Sequence, residues 1–342
     1  MTELTSTPKK MNEVDVAFGY PMYMQEYWKL IQKAGDKTTV NTINEGMNYT
    51  HAATIPQLET AIHIIHEKVG NAESKDCEIV IGNGASQLVS AIAYAAQKMD
   101  IYQILLEPPY WGRLKFLLNM GAGAVGNLPD VVRKHKALIN DKFFKFATSP
   151  NNPTGELQEP EGDLNVVDAC YYWPQYTRIT KKLNHDVMIF GLSKCTGHAG
   201  TRIGWALVKD KKVAQLMRDY VEQSTCGVSR DAQKRARTIL ATAADSKLTD
   251  PFMFGRHKIC KRWSLFSHYA RPWTSFKILN KDGMFAWCEG TPPEGLKVMG
   301  ASVSGLADSS QCFRINLGCS DDVFEQLIKV LIDGSATSVA GT

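Results

Sequence analysis

The sequence lacks a surplus of either charge: 39 Lys and Arg stand against 35 Asp and Glu, a formal net charge of +4 over 342 residues. No basic block extends beyond short pairs such as Lys9-Lys10 and Lys181-Lys182, so no nucleic-acid or acidic-membrane partner is expected. A long apolar run is missing too. The longest near-apolar stretch, Leu88 to Ala96, contains Ser90 and is too short to span a bilayer. Met1 to Glu13 is polar, without the apolar core of a secretory signal. The eight cysteines (Cys77, Cys170, Cys195, Cys226, Cys260, Cys288, Cys312 and Cys319) form no C-x-x-C pair, which fits neither a zinc site nor a disulfide framework. These absences lead to the expectation of a soluble, cytoplasmic protein with reduced thiols.

What is present is ordinary globular usage, 44% apolar and 22% charged, with length for about two domains. An aromatic, helix-like stretch surrounds Tyr23, Tyr27 and Trp28, followed by a turn at Gly35-Asp36. From Pro56 onward helical and strand patterns alternate. Helices are expected at Leu58–Val69, Ser86–Met99, Tyr110–Met120, Lys211–Gln223 and Arg230–Ala243. Short apolar runs at Glu78–Ile81, Tyr102–Leu106, Phe143–Ala147, Asn165–Ala169, Val187–Phe190 and Ile203–Val208 read as strands. Such alternation predicts an α/β fold, a mostly parallel sheet with helices on both faces. The last hundred or so residues predict a smaller α+β unit: helices at Pro251–Tyr269 and Asp321–Ile332, strands at Phe285–Cys288 and Phe313–Asn316.

Three patterns resemble chemical motifs without their context. Gly121, Gly123 and Gly126 match G-x-G-x-x-G, but a helix precedes them and a turn follows, the reverse of a dinucleotide site. His63 and His66 fit neither zincin order and read as a solvated helix edge; no metal is expected. Asn48-Tyr49-Thr50 spells a glycosylation sequon that has no meaning in a cytosolic chain.

A different constellation carries chemistry. Ser149-Pro-Asn-Asn-Pro-Thr-Gly155 follows a strand; Asp168 ends another, with Tyr171 three positions on; Ser193-Lys194 follows a third, and Arg202 stands eight residues after the lysine. This order resembles fold-type-I pyridoxal-phosphate (PLP) enzymes of the aspartate-aminotransferase superfamily. The runs Cys170 to Thr177 (CYYWPQYT) and Ser193 to Asp210 (SKCTGHAGTRIGWALVKD) are similar to the plant alliinase/tryptophan aminotransferase family, most densely over residues 48–235. The resemblance implies a large PLP-binding domain, residues 40–235, with a mostly parallel seven-stranded sheet. Residues 1–39 and 236–342 would form the small domain.

The resemblance also implies roles. Lys194 would form the resting Schiff base and then shuttle the substrate proton. Asp168 would hold a proton on the cofactor ring nitrogen, unless it only caps a strand end. Gly84, Ala85 and Ser86, where a strand turns into a helix, would hold the phosphate together with Arg202; Ser86 also reads as a plain N-cap. Asn152 and Tyr171 would contact the ring hydroxyl, and Tyr110 would stack on the ring; both tyrosines also read as core aromatics. Arg314, with Asn152 and Gly19, would take the substrate carboxylate; an edge-strand arginine is the lesser alternative. Tyr49 resembles the tyrosine that reaches from a neighbouring subunit to the phosphate, which implies a homodimer with shared sites. Trp287 and Tyr23 are substrate-side aromatics or ordinary packing.

The implied activity is transfer of the amino group of an L-amino acid, tryptophan-like or otherwise aromatic, to a 2-oxo acid. Carbon–sulfur β-elimination of cysteine derivatives and silent PLP binding are the alternatives. Three departures bear on this. Gly191 occupies the position three before the lysine, usually Ser or Thr; Gly19-Tyr20-Pro21 stands for Gly-Asp-Pro; and Gly300 to Gly305 lacks an expected arginine.

Overall fold

The computed structural model describes residues 13–31, 49–122, 125–127, 142–245, 250–307 and 310–339. The sequon's Asn48, Gly123 and the Gly35-Asp36 turn lie outside the described residues.

The large sheet runs Glu78–Asn83, Ile203–Val208, Val187–Gly191, Val166–Asp168 and Ala147–Thr148 in spatial order. Ile203–Val208 is antiparallel to both of its neighbours, and the other pairings are parallel. Phe143–Lys145, just before Ala147–Thr148 in the chain, pairs in parallel with Gln103–Leu106, which pairs in parallel with Val125–Asn127. Phe146 N–H donates to Leu105 O at 3.0 Å where the two halves meet. Residues 143–148 therefore join both halves, and the described strands make the mostly parallel seven-stranded run expected, with Glu161–Gly162 added antiparallel.

Strand residues are buried on both faces, as a sheet covered by helices requires. Val187, Ile189, Ala206 and Val208 face one apolar cluster with helix Ala85–Gln97, while Met188, Phe190, Trp205 and Leu207 face the other with Pro56–Val69. His66 is fully buried in the second cluster, which corrects the expectation of a solvated helix edge. Its Nδ1 meets Asn71 Oδ1 at 2.7 Å and its Nε2 accepts from Trp205 Nε1 at 2.9 Å, so both ring nitrogens are taken. Gly121 lies in helix Leu114–Ala122 and Gly126 in strand Val125–Asn127. A Cβ on Gly121 would come 2.1 Å from Ser90 O, so that glycine serves helix contact.

A second sheet is antiparallel, in the order Phe276–Ile278, Phe285–Gly290, Cys312–Asn316 and Met299–Gly300. Helices Pro251–Ala270 and Asp321–Val339 belong to this part, and Val14–Asp15 pairs with Leu296–Lys297 beside it. Element bounds follow the sequence patterns closely, with two clear shifts: the helix expected from Tyr110 starts at Leu114, and the last helix, expected to end at Ile332, runs to Val339. Among the described residues no helix is long and apolar enough to cross a membrane.

Candidate active site

The parallel strands all end at one edge of the large sheet, where open α/β sheets bind ligands. Asn83, Leu106, Thr148, Asp168 and Gly191 are the last residues of their strands. Ile203–Val208 begins at that same edge because it runs the other way, so topology brings Lys194 and Arg202 beside Asp168, Asn152 and Tyr110.

Lys194 stands on a four-residue helical turn, Leu192–Cys195, directly after its strand. Its Nζ donates to the Gly19 carbonyl and lies 5.7 Å from the centroid of the Tyr171 ring. Burial lowers the ammonium to about 8, against the pull of Cys170 and Asp168, and Arg314 and Arg202 push the same way as burial. Asp168 is 7% exposed and accepts from Cys170 N–H at 3.0 Å, so it caps its own turn as well as facing the site. Burial raises its carboxyl, opposed by the Cys170 bonds and the Lys194 charge.

A relay runs across the site. Arg314 Nη1 donates to Asn152 Oδ1 at 2.6 Å, and Asn152 Nδ2 donates to the Tyr171 hydroxyl at 3.1 Å. Arg314 Nη2 donates to Ala17 O at 2.7 Å, its guanidinium carbon lies 4.1 Å from the Phe285 ring centroid, and its buried Nε has no partner. Cys312–Asn316 is paired on both sides, with Trp287 and Met299 opposite Arg314, so the edge-strand reading is overturned. The carbonyls of Phe18 and Tyr20 accept from Asn316 Nδ2 at 2.6 and 3.1 Å. Residues 17–20 are thus held at every carbonyl by side chains of the site.

The opposite wall brings a helix N-terminus and the Arg202 guanidinium together. Gly84 is the N-cap of Ala85–Gln97 with φ 79°, so the cap is Gly84 and Ser86 is the second helical residue. The first N–H groups of the helix have no carbonyl within it to bond. The Arg202 guanidinium lies against Gly84, where a Cβ would come 2.3 Å from Nη2, and a Cβ on Gly204 would come 2.3 Å from Ala85 N. Glycine keeps this corner open. A Cβ on Gly191 would meet only ordinary contacts, 3.6 Å from Ala85 Cβ and from Cys170 Sγ.

Tyr110 is buried, and its N–H donates to Ser304 O at 3.0 Å. Gly305, at φ 78°, packs so closely that a Cβ would come 2.4 Å from Tyr110 Cζ. Tyr49 lies apart from this cluster, 73% exposed beside His51. Tyr23 and Trp287 are both buried, with the Tyr23 ring edge-on to Tyr176 at 6.4 Å between centroids. Sequence reasoning missed Phe285, Asn316, Gln175 and Tyr176; only the CYYWPQYT run pointed at the last two.

The residues present fit PLP: a dipole-assisted anion cradle with an arginine, a buried carboxylate across from it, a buried amine of lowered pKa, and an unpartnered guanidinium nitrogen for a carboxylate. The model of the allinase family (Alliinase_C) matches residues 14–289. Tryptophan aminotransferase-related protein 2 of Oryza sativa is 30% identical, covering 93% of this chain and 73% of its own length. Alliin lyase of Allium cepa var. aggregatum is 29% identical, covering 93% and 81%. In structure, the aspartate aminotransferase of Thermotoga maritima superposes with a TM-score of 0.69 at 16% identity, over 94% of this chain and 91% of that one. Fold, site and relatives agree: the chain belongs to the alliinase/tryptophan aminotransferase family of fold-type-I PLP enzymes.

Proposed function

We propose that the chain is a PLP-dependent aminotransferase acting on an aromatic or otherwise apolar L-amino acid, with a 2-oxo acid as acceptor. The observation that supports this best is the buried Lys194 amine set beside the Arg314–Asn152–Tyr171 relay. When bound, the cofactor supplies an electron sink for the charge left when the substrate loses its Cα proton.

This chain's residues do the rest. Ala85, Ser86 and Arg202 would hold the phosphate, and Tyr110 would cover the ring. With the cofactor bound, Asp168 would hold a proton at the ring nitrogen, and Asn152 and Tyr171 would orient the ring hydroxyl. Arg314 binds the substrate carboxylate in a fork, with Asn152 and the Gly19 backbone beside it. Lys194 Nζ would then take the substrate's Cα proton, a task suited to a buried amine whose pKa is lowered to about 8.

Carbon–sulfur β-elimination shares every one of these steps up to proton removal, and alliin lyases are among the relatives. We take residues 40–235 as the cofactor-binding domain with the remainder as the smaller one, and Tyr49 as reaching a second copy's phosphate site in a homodimer.

The test is an absorbance titration with product analysis. Loss of a band near ~420 nm, growth near ~330 nm and release of the matching 2-oxo acid mark transamination. Steady pyruvate and ammonia from an S-alkyl cysteine, with the first band persisting, would make the protein a lyase. A protein that takes up no PLP would refute both.

A further inference from the structure

Lys194 is carried by one turn of helix, too short to be stable by itself. Its carbonyls are therefore held from outside. Gln175 Nε2 donates to Lys194 O at 3.1 Å and to Cys195 O at 2.9 Å, and the Tyr176 hydroxyl donates to Lys194 O at 3.2 Å. Thr196 O accepts from Trp28 Nε1 at 2.8 Å. Gln175 is fully buried and its Oε1 has no partner. The amide cannot be turned over, because its oxygen would then face two carbonyl oxygens. An orphaned buried acceptor is tolerated so that both donors meet the lysine's turn.

The same short segment carries Asp168 and Tyr171. Proline at 174 and the packing of Trp173 on Phe252 and Phe190 stiffen the stretch between them and Gln175. One rigid piece of chain thus sets the ring-side carboxylate and the base of the lysine together.

We propose that Gln175 and Tyr176 are positioning residues, which hold the Lys194 turn in register with Asp168 so that Nζ reaches both its resting and its proton-transfer positions. The inference rests on Lys194 being the cofactor-holding lysine, whichever reaction follows. It gives the CYYWPQYT run a purpose beyond the Tyr171 contact.

The test uses full-length Gln175→Met, which keeps the bulk and loses the donors, and Tyr176→Phe, the milder change. Three quantities are read: the melting temperature, the pH midpoint of the lysine-bound cofactor band, and the rate of the first half-reaction under single turnover. A fourth, the pH profile of Lys194 acylation by acetic anhydride in cofactor-free full-length protein, is read by peptide mass and stands even if no band forms. The expected result is a half-reaction slowed roughly ten- to a hundredfold, with both pH profiles displaced and melting nearly unchanged. Unchanged profiles with a rate within about twofold of wild type, a barrier raised by less than about half a kcal/mol, would overturn the proposal. So would a rate loss that follows only the loss of folded protein. A wild-type chain that forms no band would instead refute the proposed function, leaving the acylation profiles to decide this point.

Discussion

Arg314 and Asn152 stand 162 residues apart in sequence, yet Arg314 Nη1 donates to Asn152 Oδ1 at 2.6 Å in the buried heart of the site. The bond joins the second sheet to the loop after Ala147–Thr148. It sets the guanidinium beside the Tyr171 hydroxyl, where a carboxylate would meet both a fork and an amide.

Replacing Arg314 with Lys keeps the charge and loses the fork. Charge-assisted bonds are worth about 2 kcal/mol each, so KM for the amino acid is expected to rise about thirtyfold, with kcat falling less. Steady-state kinetics check this. An unchanged KM would mean that the substrate carboxylate is bound elsewhere.

Two glycines of the cradle are expected to respond in opposite directions. Gly191→Ser adds a hydroxyl where a Cβ has ordinary room, 3.9 Å from Ala85 N. Its dissociation constant for PLP should fall several-fold, in keeping with about 1 kcal/mol for one added hydrogen bond. Gly204→Ala instead drives a methyl to 2.3 Å from Ala85 N. Such overpacking costs about 1–3 kcal/mol and should release the cofactor. Equilibrium dialysis with PLP measures both.

Gly305→Ala tests the seat of Tyr110. The residue sits at φ 78°, and the new methyl would overlap the tyrosine ring. Left-handed strain alone costs about 1–2 kcal/mol, and the ring must shift besides. Weaker cofactor binding and a lower melting temperature are expected, with calorimetry and PLP titration as the measurements.

Acid should destabilise the fold through His66. Burial lowers its imidazole from 6.5 to about 4, so the unfolded chain binds the extra proton between those values. Stability is full above about pH 6.5 and declines as pH falls toward 4, by about 3 kcal/mol in all. His198, also lowered to about 4, adds to the same slope. His66→Gln keeps a donor for Asn71 and an acceptor for Trp205, and has nothing to titrate. Urea unfolding at several pH values should show a shallower slope for this variant; an equal slope would remove His66 as the cause.

Much was legible in the sequence. The alternation of helical and strand periods determined an α/β chain with a mostly parallel sheet, because the period of burial is a local property. The order Asn152, Asp168, Tyr171, Lys194 marked strand ends, since these residues follow buried apolar runs, and Arg202 marked the start of the next apolar run, Ile203–Val208. Tertiary structure alone decided the rest. Whether Arg314 lay at a sheet edge depended on Met299–Gly300 pairing outside it. Whether His66 was wet depended on Trp205 and Trp173 closing over it. Gln175 and Tyr176 look like the tail of an aromatic run until the chain folds back and sets them under the Lys194 turn. Each of these is a contact between distant segments, fixed by how sheets and helices pack, and no local pattern of residues encodes it.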